Sequence, residues 1–393
     1  MDILKDVRVV DFTRMLAGPY ATRLLADFGA EVIKIQCGKT AFGGEANDTA
    51  YFRTWNRNKR SITLDMTHPE AREILLRLTA VSDVVMENFS PRVMSNWGLA
   101  YDDLKQVNPG LIMVRMSGMG QTGPWRNMVA FGSTIQSLSG ITSLTSYDKE
   151  EPLGPGQAYA DHVAGIYGAI AVLAALENRD RTGQGRCIDL SEYEAMCTLM
   201  GPALMEVLVN HQDPVPHGNN ADYVSAAPHG CYRCRGDDQW CVIAVSNETE
   251  WEGLCHAAGH GEWLADERFA NIDARKDHHK ELDPLIRAWT IEQRAHEVER
   301  LLQEAGVPAA VVKNAEDLAD DPQLRARDYF VRLKHPILGE DVTDTNPFTF
   351  KSFSTSRWKA SPALGEANQY VFLDLLGLSE IEFSDYRKRG IIA

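Results

Sequence analysis

Basic residues are in the minority in this chain of 393 residues, where 40 lysines and arginines face 55 aspartates and glutamates for a formal net charge of -15. A nucleic-acid partner would need a local basic surface working against that overall field, so none is expected. A phosphorylated small ligand is not excluded, because a few arginines and helix N-termini make an anion site even in an acidic protein. Cysteine is scarce as well. Seven residues, scattered and odd in number, do not read as a disulfide framework. The pair Cys231 and Cys234 in "CYRC" has the spacing of half a zinc site, with Cys241, Cys255, His256 and His260 downstream, but no matching second pair follows. Its alternation predicts a β-hairpin turning at Gly236-Asp237-Asp238, and no metal is expected. Long apolar runs are missing too. "MDILKDVRVVDF" mixes acids with a short apolar stretch, unlike a signal peptide, and residues 162–176 fall short of a usual membrane span. The expectation is a soluble, cytoplasmic protein with no membrane partner. Finally, no G-x-G-x-x-G follows the first predicted strand, which removes the usual mark of a dinucleotide-binding fold.

What is present is an ordinary globular composition, 44% hydrophobic and 24% charged, long enough for two domains. The first third alternates strand and helix. "VRVVDF", "EVIKIQ", "SITLD", "DVVMENF" and "LIMVRMS" read as strands, with helical patterns in "GPYATRLLADFGA", "PEAREILLRLTAV" and "YDDLKQVN" between them. Helices of this length between strands imply right-handed crossovers and a mostly parallel sheet. The Gly-rich "SGMGQTGPW" (117–125) directly follows a strand, at the end of the sheet where ligands bind in open α/β folds. Residues 211–230 are rich in Pro, Gly, Asn and His and suit a linker. Beyond them come the hairpin, helices in "ETEWEGLCHAAG" and "TIEQRAHEVERLLQEAG", and the strand "VPAAVV". The tail reads as further strands from "HPILGEDV" to "FTFKSF" and a terminal amphipathic helix over "LGEANQYVFLDLLGLS".

One acid stands out. "GQAYADHVAGIYGAIAVLAALE" (156–177) sets Asp161 at the head of an apolar helix in which Ala164, Gly165, Gly168 and Ala169 let another backbone approach closely. Aspartate there is either an N-cap, accepting from free backbone N–H groups, or an ionised carboxylate at a helix terminus in a dry cleft, where it acts as a nucleophile. The local sequence leaves both open.

Taken together, "LAGPYATRLLADFGAEVIKIQ", "NRNKRSITLDM", "DVVMENFSP", "GMGQTGP", "YADHVAGIYGAIAVLAAL", "RTGQGRCIDLS", "GVPAAVV" and "DPQLRARDYF" resemble, in order and spacing, the class III coenzyme A transferase family. That family includes formyl-CoA and carnitine CoA-transferases and α-methylacyl-CoA racemase. The resemblance implies reversible transfer of CoA between an acyl-CoA and a free carboxylic acid, with Asp161 as the nucleophile. It passes through an aspartyl anhydride and an aspartyl-CoA thioester. CoA and acyl-CoA are then substrates, and no tightly bound cofactor is implied. The implied fold is a large Rossmann-like domain with a mostly parallel sheet, a smaller α+β domain, and an interlocked dimer. The expected limits are 1–205 for the first part of the large domain, 206–224 for a linker, 225–320 for the small domain and 321–393 for the return.

Carried over residue by residue, Met15, Leu16 and Ala17 would line CoA, Leu64 would sit near adenine, and Asn88 and Phe89 would meet the pantetheine or phosphate region. Arg60 and Arg92 are assigned to phosphate contacts, and Trp125, Phe131, Gly132 and Tyr159 to the acid pocket, roomy and apolar enough for an aryl or branched acid. His162 lies about 100° further around the helix and is read as a neighbour. The chain also departs from the family. Cys37, Thr67 and Asn96 stand at positions often basic in relatives, Leu16 where some transferases have glutamine, and Gly132 where many have an acid; a glycine-rich lid is not evident. A racemase reading requires a proton-exchanging histidine where this chain has Phe131, and phenylalanine has no proton to exchange. A non-catalytic CoA-binding subunit of a heteromer is the other alternative, against which Asp161 is retained.

Overall fold

The computed structural model describes residues 3–216, 218–219, 225–348, 350–351 and 354–393. At its centre the apolar runs pair as a six-stranded parallel sheet. The strands are β1 (Arg8–Asp11), β2 (Glu31–Gln36), β3 (Arg60–Thr63), β4 (Val84–Glu87), β5 (Ile112–Ser117) and β6 (Arg186–Ser191), in the order β3-β2-β1-β4-β5-β6. Register runs straight across the middle, with Val9 opposite both Val32 and Val84, and Val84 opposite Ile112. Helices fill the connections: α1 (Ala17–Asp27), α2 (Ala50–Asn56), α3 (Pro69–Ala80), α4 (Val93–Asn96), α5 (Tyr101–Val107), α6 (Gly132–Leu138) and α7 (Ile141–Leu144). Around β6 lie α8 (Tyr159–Thr182), α9 (Glu192–Cys197) and α10 (Gly201–Asn210).

Because side chains alternate along a strand, the sheet divides its residues between two cores. Val10, Ile33, Ile62, Val85 and Met113 pack with Ile74, Leu78 and the C-terminal Phe372 and Ile391. Val9, Val32, Val84, Ile112 and Val114 pack with Leu25 of α1 and Val172 of α8. The chain's end is tied to the sheet, Ala367 N–H donating to the Ser61 carbonyl and Asp65 N–H to that of Ile391.

The chain divides into two units, one of Met1–Thr142, Gly154–Pro214 and Arg327–Ala393, the other of Ser143–Leu153 and Val215–Ala326. In the second, β7 (His229–Arg233), β8 (Trp240–Ala244) and β9 (Ala309–Val311) form an antiparallel sheet. "CYRC" belongs to the β7–β8 hairpin, with Cys234 and Cys241 buried. Among the described residues no group of three or more His, Cys, Asp or Glu is arranged to hold a metal.

Three local readings change. Residues 206–210 of the expected linker are the last turn and a half of α10, and residues 217 and 220–224 lie outside the described residues. After β10 (Phe330–His335) and β11 (Gly339–Asp344), the described residues of "FTFKSF" form no strand; 349, 352 and 353 are outside the described residues. The expected terminal amphipathic helix is a π-helical turn, Tyr370–Leu375, where Leu376 N–H donates to the Val371 carbonyl five residues back and Val371 and Phe372 are buried. A separate helix, Glu380–Lys388, follows.

α8 is longer than its apolar segment, and by length and composition alone it would cross a membrane. One face is nonetheless packed in the core, through Ala164, Gly165, Gly168, Val172 and Leu176. At Gly165 an added Cβ would stand 2.9 Å from the Ala17 carbonyl oxygen and 2.8 Å from the Tyr20 ring. Gly165→Val is expected to force α8 off α1 and cost about 1–3 kcal/mol. Urea denaturation reads this directly, and an unchanged midpoint would show that the two helices are not held by close approach.

Candidate active site

The chain path decides which end of the sheet Asp161 occupies. α8 leads into β6 through a turn at residues 183–185, where Gly185 N–H donates to the Pro109 carbonyl just before β5. The C-terminus of α8 therefore lies at the amino edge of the sheet, and its N-terminus at the carboxyl edge, the ligand side of open α/β sheets. The helix is capped by Ala158, with no side-chain cap hydrogen bond, and Asp161 is its third residue. The N-cap reading of Asp161 is corrected accordingly. Asp161 still stands in the first turn, where free N–H groups favour negative charge.

Asp161 is half-buried. Burial pushes its carboxyl above the ordinary range, opposed by the charge of His162 and by hydrogen bonds from its own backbone N–H and that of Ala17. Gly132 lies so close that any Cβ there would collide with Asp161 Oδ2. Tyr159, two residues before, is held by its N–H to Gln136 Oε1 at 2.9 Å. His162 Nδ1 lies 2.8 Å from the Ala158 carbonyl, which can only accept, so Nδ1 carries the proton. Its ring packs edge-on against Tyr20 and Trp55 at 5.4 and 5.2 Å. The ring is thus held in place by packing and a backbone bond.

The first βα turn is rigid for electrostatic reasons. Asp11, Lys34 and Lys59 are buried at its base. Lys59 Nζ bonds Asp11 Oδ2 at 3.0 Å, the Pro19 carbonyl at 3.0 Å and Asn56 Oδ1 at 2.8 Å, while Lys34 Nζ reaches the Thr13 carbonyl at 2.7 Å. Burial drives Lys59 down to about 7 despite the neighbouring Asp11. Asp11 is held below its ordinary value, burial being outweighed by the two lysines and the Thr13 and Thr22 hydroxyls. Above this base, Asn88 grips Arg14 from both sides, accepting from its N–H at 2.7 Å and donating to its carbonyl at 2.9 Å. Met15, left-handed at φ 62°, donates its N–H to Glu45 Oε1 at 2.6 Å. Leu16 and Ala17 are buried, and the Met15 side chain is exposed.

Met15, Leu16, Ala17, Leu64, Asn88, Phe89 and Arg92 all follow β1, β3 or β4 at the carboxyl edge. Leu64 is buried in the core, Phe89 stacks edge-on to Trp97 at 5.4 Å, and Arg92 is exposed. Arg60 does not join them. It opens β3 at the opposite edge, paired with Glu31 at 3.0 Å and lying over the Tyr370 ring at 4.3 Å, so its assignment to phosphate is withdrawn. Of the residues assigned to the acid pocket, Gly132 meets Asp161, Tyr159 opens α8 two residues before it, and Phe131, 72% exposed, caps α6 next to Gly132. Trp125 lies further along the Gly-rich loop, 5.9 Å from Tyr193, in a cleft of about 320 Å³ that Asp189 and Glu194 also line.

Two residues escaped the sequence reading. Arg14 projects over Phe89, 5.9 Å from the ring centroid, and donates to Thr40 Oγ1 at 2.9 Å; its adjacency to Met15–Ala17 was the available signal. Glu192, the first residue of α9, is buried, and burial together with the charge of Asp161 pushes its carboxyl up to about 8.

Comparison with known proteins gives concordant findings. The model of CoA-transferase family III matches residues 4–368. A succinyl-CoA:D-citramalate CoA-transferase of Chloroflexus aurantiacus is 36% identical over 99% of this chain and 98% of its own length. The beta subunit of a succinyl-CoA:L-malate CoA-transferase from the same organism is 31% identical, covering 99% and 98%. The crystal structure of a CAIB/BAIF family protein from Brucella suis superposes with a TM-score of 0.86 at 32% identity, covering 95% of this chain and 99% of that one.

The buried charges beneath the site generate a stability prediction. Lys59→Met leaves Asp11 short of its nearest cation and is expected to cost about 3–5 kcal/mol in urea denaturation. Adding Asp11→Asn should recover part of that loss. Strictly additive losses would show that the two side chains do not act as a pair.

Proposed function

From the premise that the chain belongs to CoA-transferase family III and is a CoA-transferase, we propose that it moves CoA from an acyl-CoA to a carboxylic acid through covalent intermediates on Asp161. The observation that carries this reading is the Asp161 carboxylate itself: half-buried at the ligand edge, made more basic by burial, and held by backbone donors. Its oxygen attacks the donor thioester carbonyl, the C–S bond breaks, and CoA leaves as thiolate from a mixed anhydride. The thiolate attacks the aspartyl carbon, expelling the donor acid and leaving an aspartyl-CoA thioester. The acceptor carboxylate attacks that carbon, forming a second anhydride and freeing CoA thiolate. Attack of the thiolate on the acceptor's acyl carbon then releases Asp161 and the new thioester. The anhydride keeps the activation of the thioester, provided water is shut out. The Ala17 N–H, which favours the Asp161 anion, is the proposed donor to the oxygen that gains charge during addition.

CoA would lie along the Met15–Ala17 turn and the Asn88–Phe89 loop, with Arg14 and Arg92 as the cations for its phosphates. Succinyl-CoA, the donor named in both curated relatives, is the first candidate donor here. Phe131, where a racemase requires histidine, favours transfer over racemisation. A second copy of the chain is the proposed partner, interlocked with the first, or a paralogous subunit in its place. Supporting this, α8 exposes Ile166, Ile170 and Leu173 on one face, and α10 exposes Leu204 and Leu208.

Three measurements test the reading. Succinyl-CoA offered with a panel of dicarboxylic, hydroxy and aryl acids should yield a new acyl-CoA, and Asp161→Ala should abolish it. Gly132→Ala, which pushes a methyl into Asp161 Oδ2, should lower kcat by about 100-fold while urea stability changes little. Hydroxylamine added during turnover should convert Asp161 to its hydroxamate, seen by mass; an active, treated sample with Asp161 unmodified rules out the covalent route. For the assembly, sedimentation at micromolar concentration should give the mass of a dimer, and a monomeric mass would refute it.

A further inference from the structure

The loop after β4 carries Asn88, Phe89 and Arg92, and two charged side chains hold it that have no task in the scheme above. Glu87 ends β4 and stands opposite Arg115 of β5 in the register of the parallel sheet. Glu87 is wholly buried, and the side chain of Arg115 is 15% exposed. Arg115 Nε donates to Glu87 Oε1 at 2.9 Å, and Nη2 of the same guanidinium donates to the Pro91 carbonyl at 2.9 Å. The second carboxylate oxygen, Glu87 Oε2, accepts from the Phe89 N–H at 2.8 Å. The pair therefore grips the loop backbone at two points, two residues apart.

The sheet does not need these charges. The preceding pairs in the same ladder, Val85 with Met113 and Met86 with Val114, are apolar and buried. Replacing a buried ion pair by apolar residues is often neutral or stabilising, and burial pushes the Glu87 carboxyl above its ordinary range, against Arg115 and the Phe89 N–H. What an apolar pair cannot supply is direction. Glu87 fixes an N–H at Phe89, Arg115 fixes a carbonyl at Pro91, and the planar fork of arginine serves both of its partners at once. Asn88, between those points, is bonded instead to the β1–α1 turn, through the N–H and the carbonyl of Arg14. Arg92, exposed, directly follows the anchored Pro91.

We infer that Glu87 and Arg115 are positioning residues for CoA: acting through the backbone at Phe89 and Pro91, they hold the loop, and with it the Arg92 cation, in the shape that receives the pantetheine and phosphate groups of an acyl-CoA. The inference rests on the placement of CoA along this loop given above. A loop already held in its binding shape loses little freedom when CoA arrives, so loosening it weakens binding. The weakening falls alike on every state that carries CoA, from donor thioester to product thioester. KM for the acyl-CoA then rises while kcat stands.

The test has two arms and two variants. Arg115→Lys keeps a charge beside Glu87 but cannot reproduce the fork that also reaches Pro91. Glu87→Gln combined with Arg115→Met removes both charges together, so that no buried charge is left unpaired. In the loop arm, hydrogen exchange followed by mass spectrometry should quicken over residues 88–92 in both variants, while the urea midpoint of Arg115→Lys stays close to that of the wild type. In the binding arm, calorimetry with CoA itself should give a Kd raised by about tenfold. Steady-state kinetics should raise KM for succinyl-CoA by a similar factor, leaving kcat and the acceptor KM within about twofold. A CoA Kd within about twofold of the wild type in both variants overturns the proposal, as does unchanged exchange over residues 88–92, or a fall in kcat with KM for succinyl-CoA unmoved. If the wild type itself binds no CoA, the placement of CoA on this loop falls and the proposal with it, whereas the exchange arm still reports whether the two side chains hold the loop.

Discussion

The site depends on how closely one helix can approach another. α8 lies against α1 because Gly165 offers no side chain to the Ala17 carbonyl and the Tyr20 ring. That contact brings the start of α8 to the start of α1, and only there can the Ala17 N–H reach the Asp161 carboxylate. A helix N-terminus and a neighbouring N–H are small effects singly, each about 1 kcal/mol at an exposed site. In a half-buried cleft they oppose the desolvation that raises the carboxyl, and the balance leaves the basic yet available carboxylate that the proposed mechanism asks of Asp161.

The turn that supplies this N–H is itself set on buried charge. Asp11, Lys34 and Lys59 bond to Thr13, Thr22, Pro19 and Asn56, so the turn between β1 and α1 has its backbone tied at Thr13 and at Pro19. Asn88 then links this turn to the loop after β4 through Arg14. An apolar core beneath the turn would be as stable or more so, but it could not direct carbonyls and N–H groups in this way. The buried lysines are better understood as fixing backbone geometry than as adding stability.

Much of this was legible in the sequence, for physical reasons that also explain the failures. The parallel strands announce themselves because both of their faces are buried, so apolar residues run without interruption. Asp161 drew notice because a charge at the head of an apolar helix needs a reason. Its exact place in the helix did not follow, since the helix starts earlier, at Tyr159, whose N–H is held by Gln136 from α6. Arg60 was misplaced because a basic residue next to a strand does not say which end of the strand faces the ligand. Residues 370–375 scanned as an amphipathic α-helix, and the apolar pattern that marks Val371 and Phe372 as buried does not tell a four-residue from a five-residue hydrogen-bond spacing. Glu192 was invisible for the same reason: its proximity to Asp161 comes from the packing of α9 on α8, which no spacing in the chain expresses.

Charge conservation gives the remaining constraint. Every step of the proposed cycle passes one negative charge between Asp161, a thiolate and a free acid, so the cleft never needs to hold two anions from the reacting groups at the same carbon. Donors fixed around a single charge serve all four displacements without rearrangement, which is the condition under which preorganised dipoles lower each barrier in turn. A second ionised side chain would raise the energy of every one of these states, because all of them are anionic.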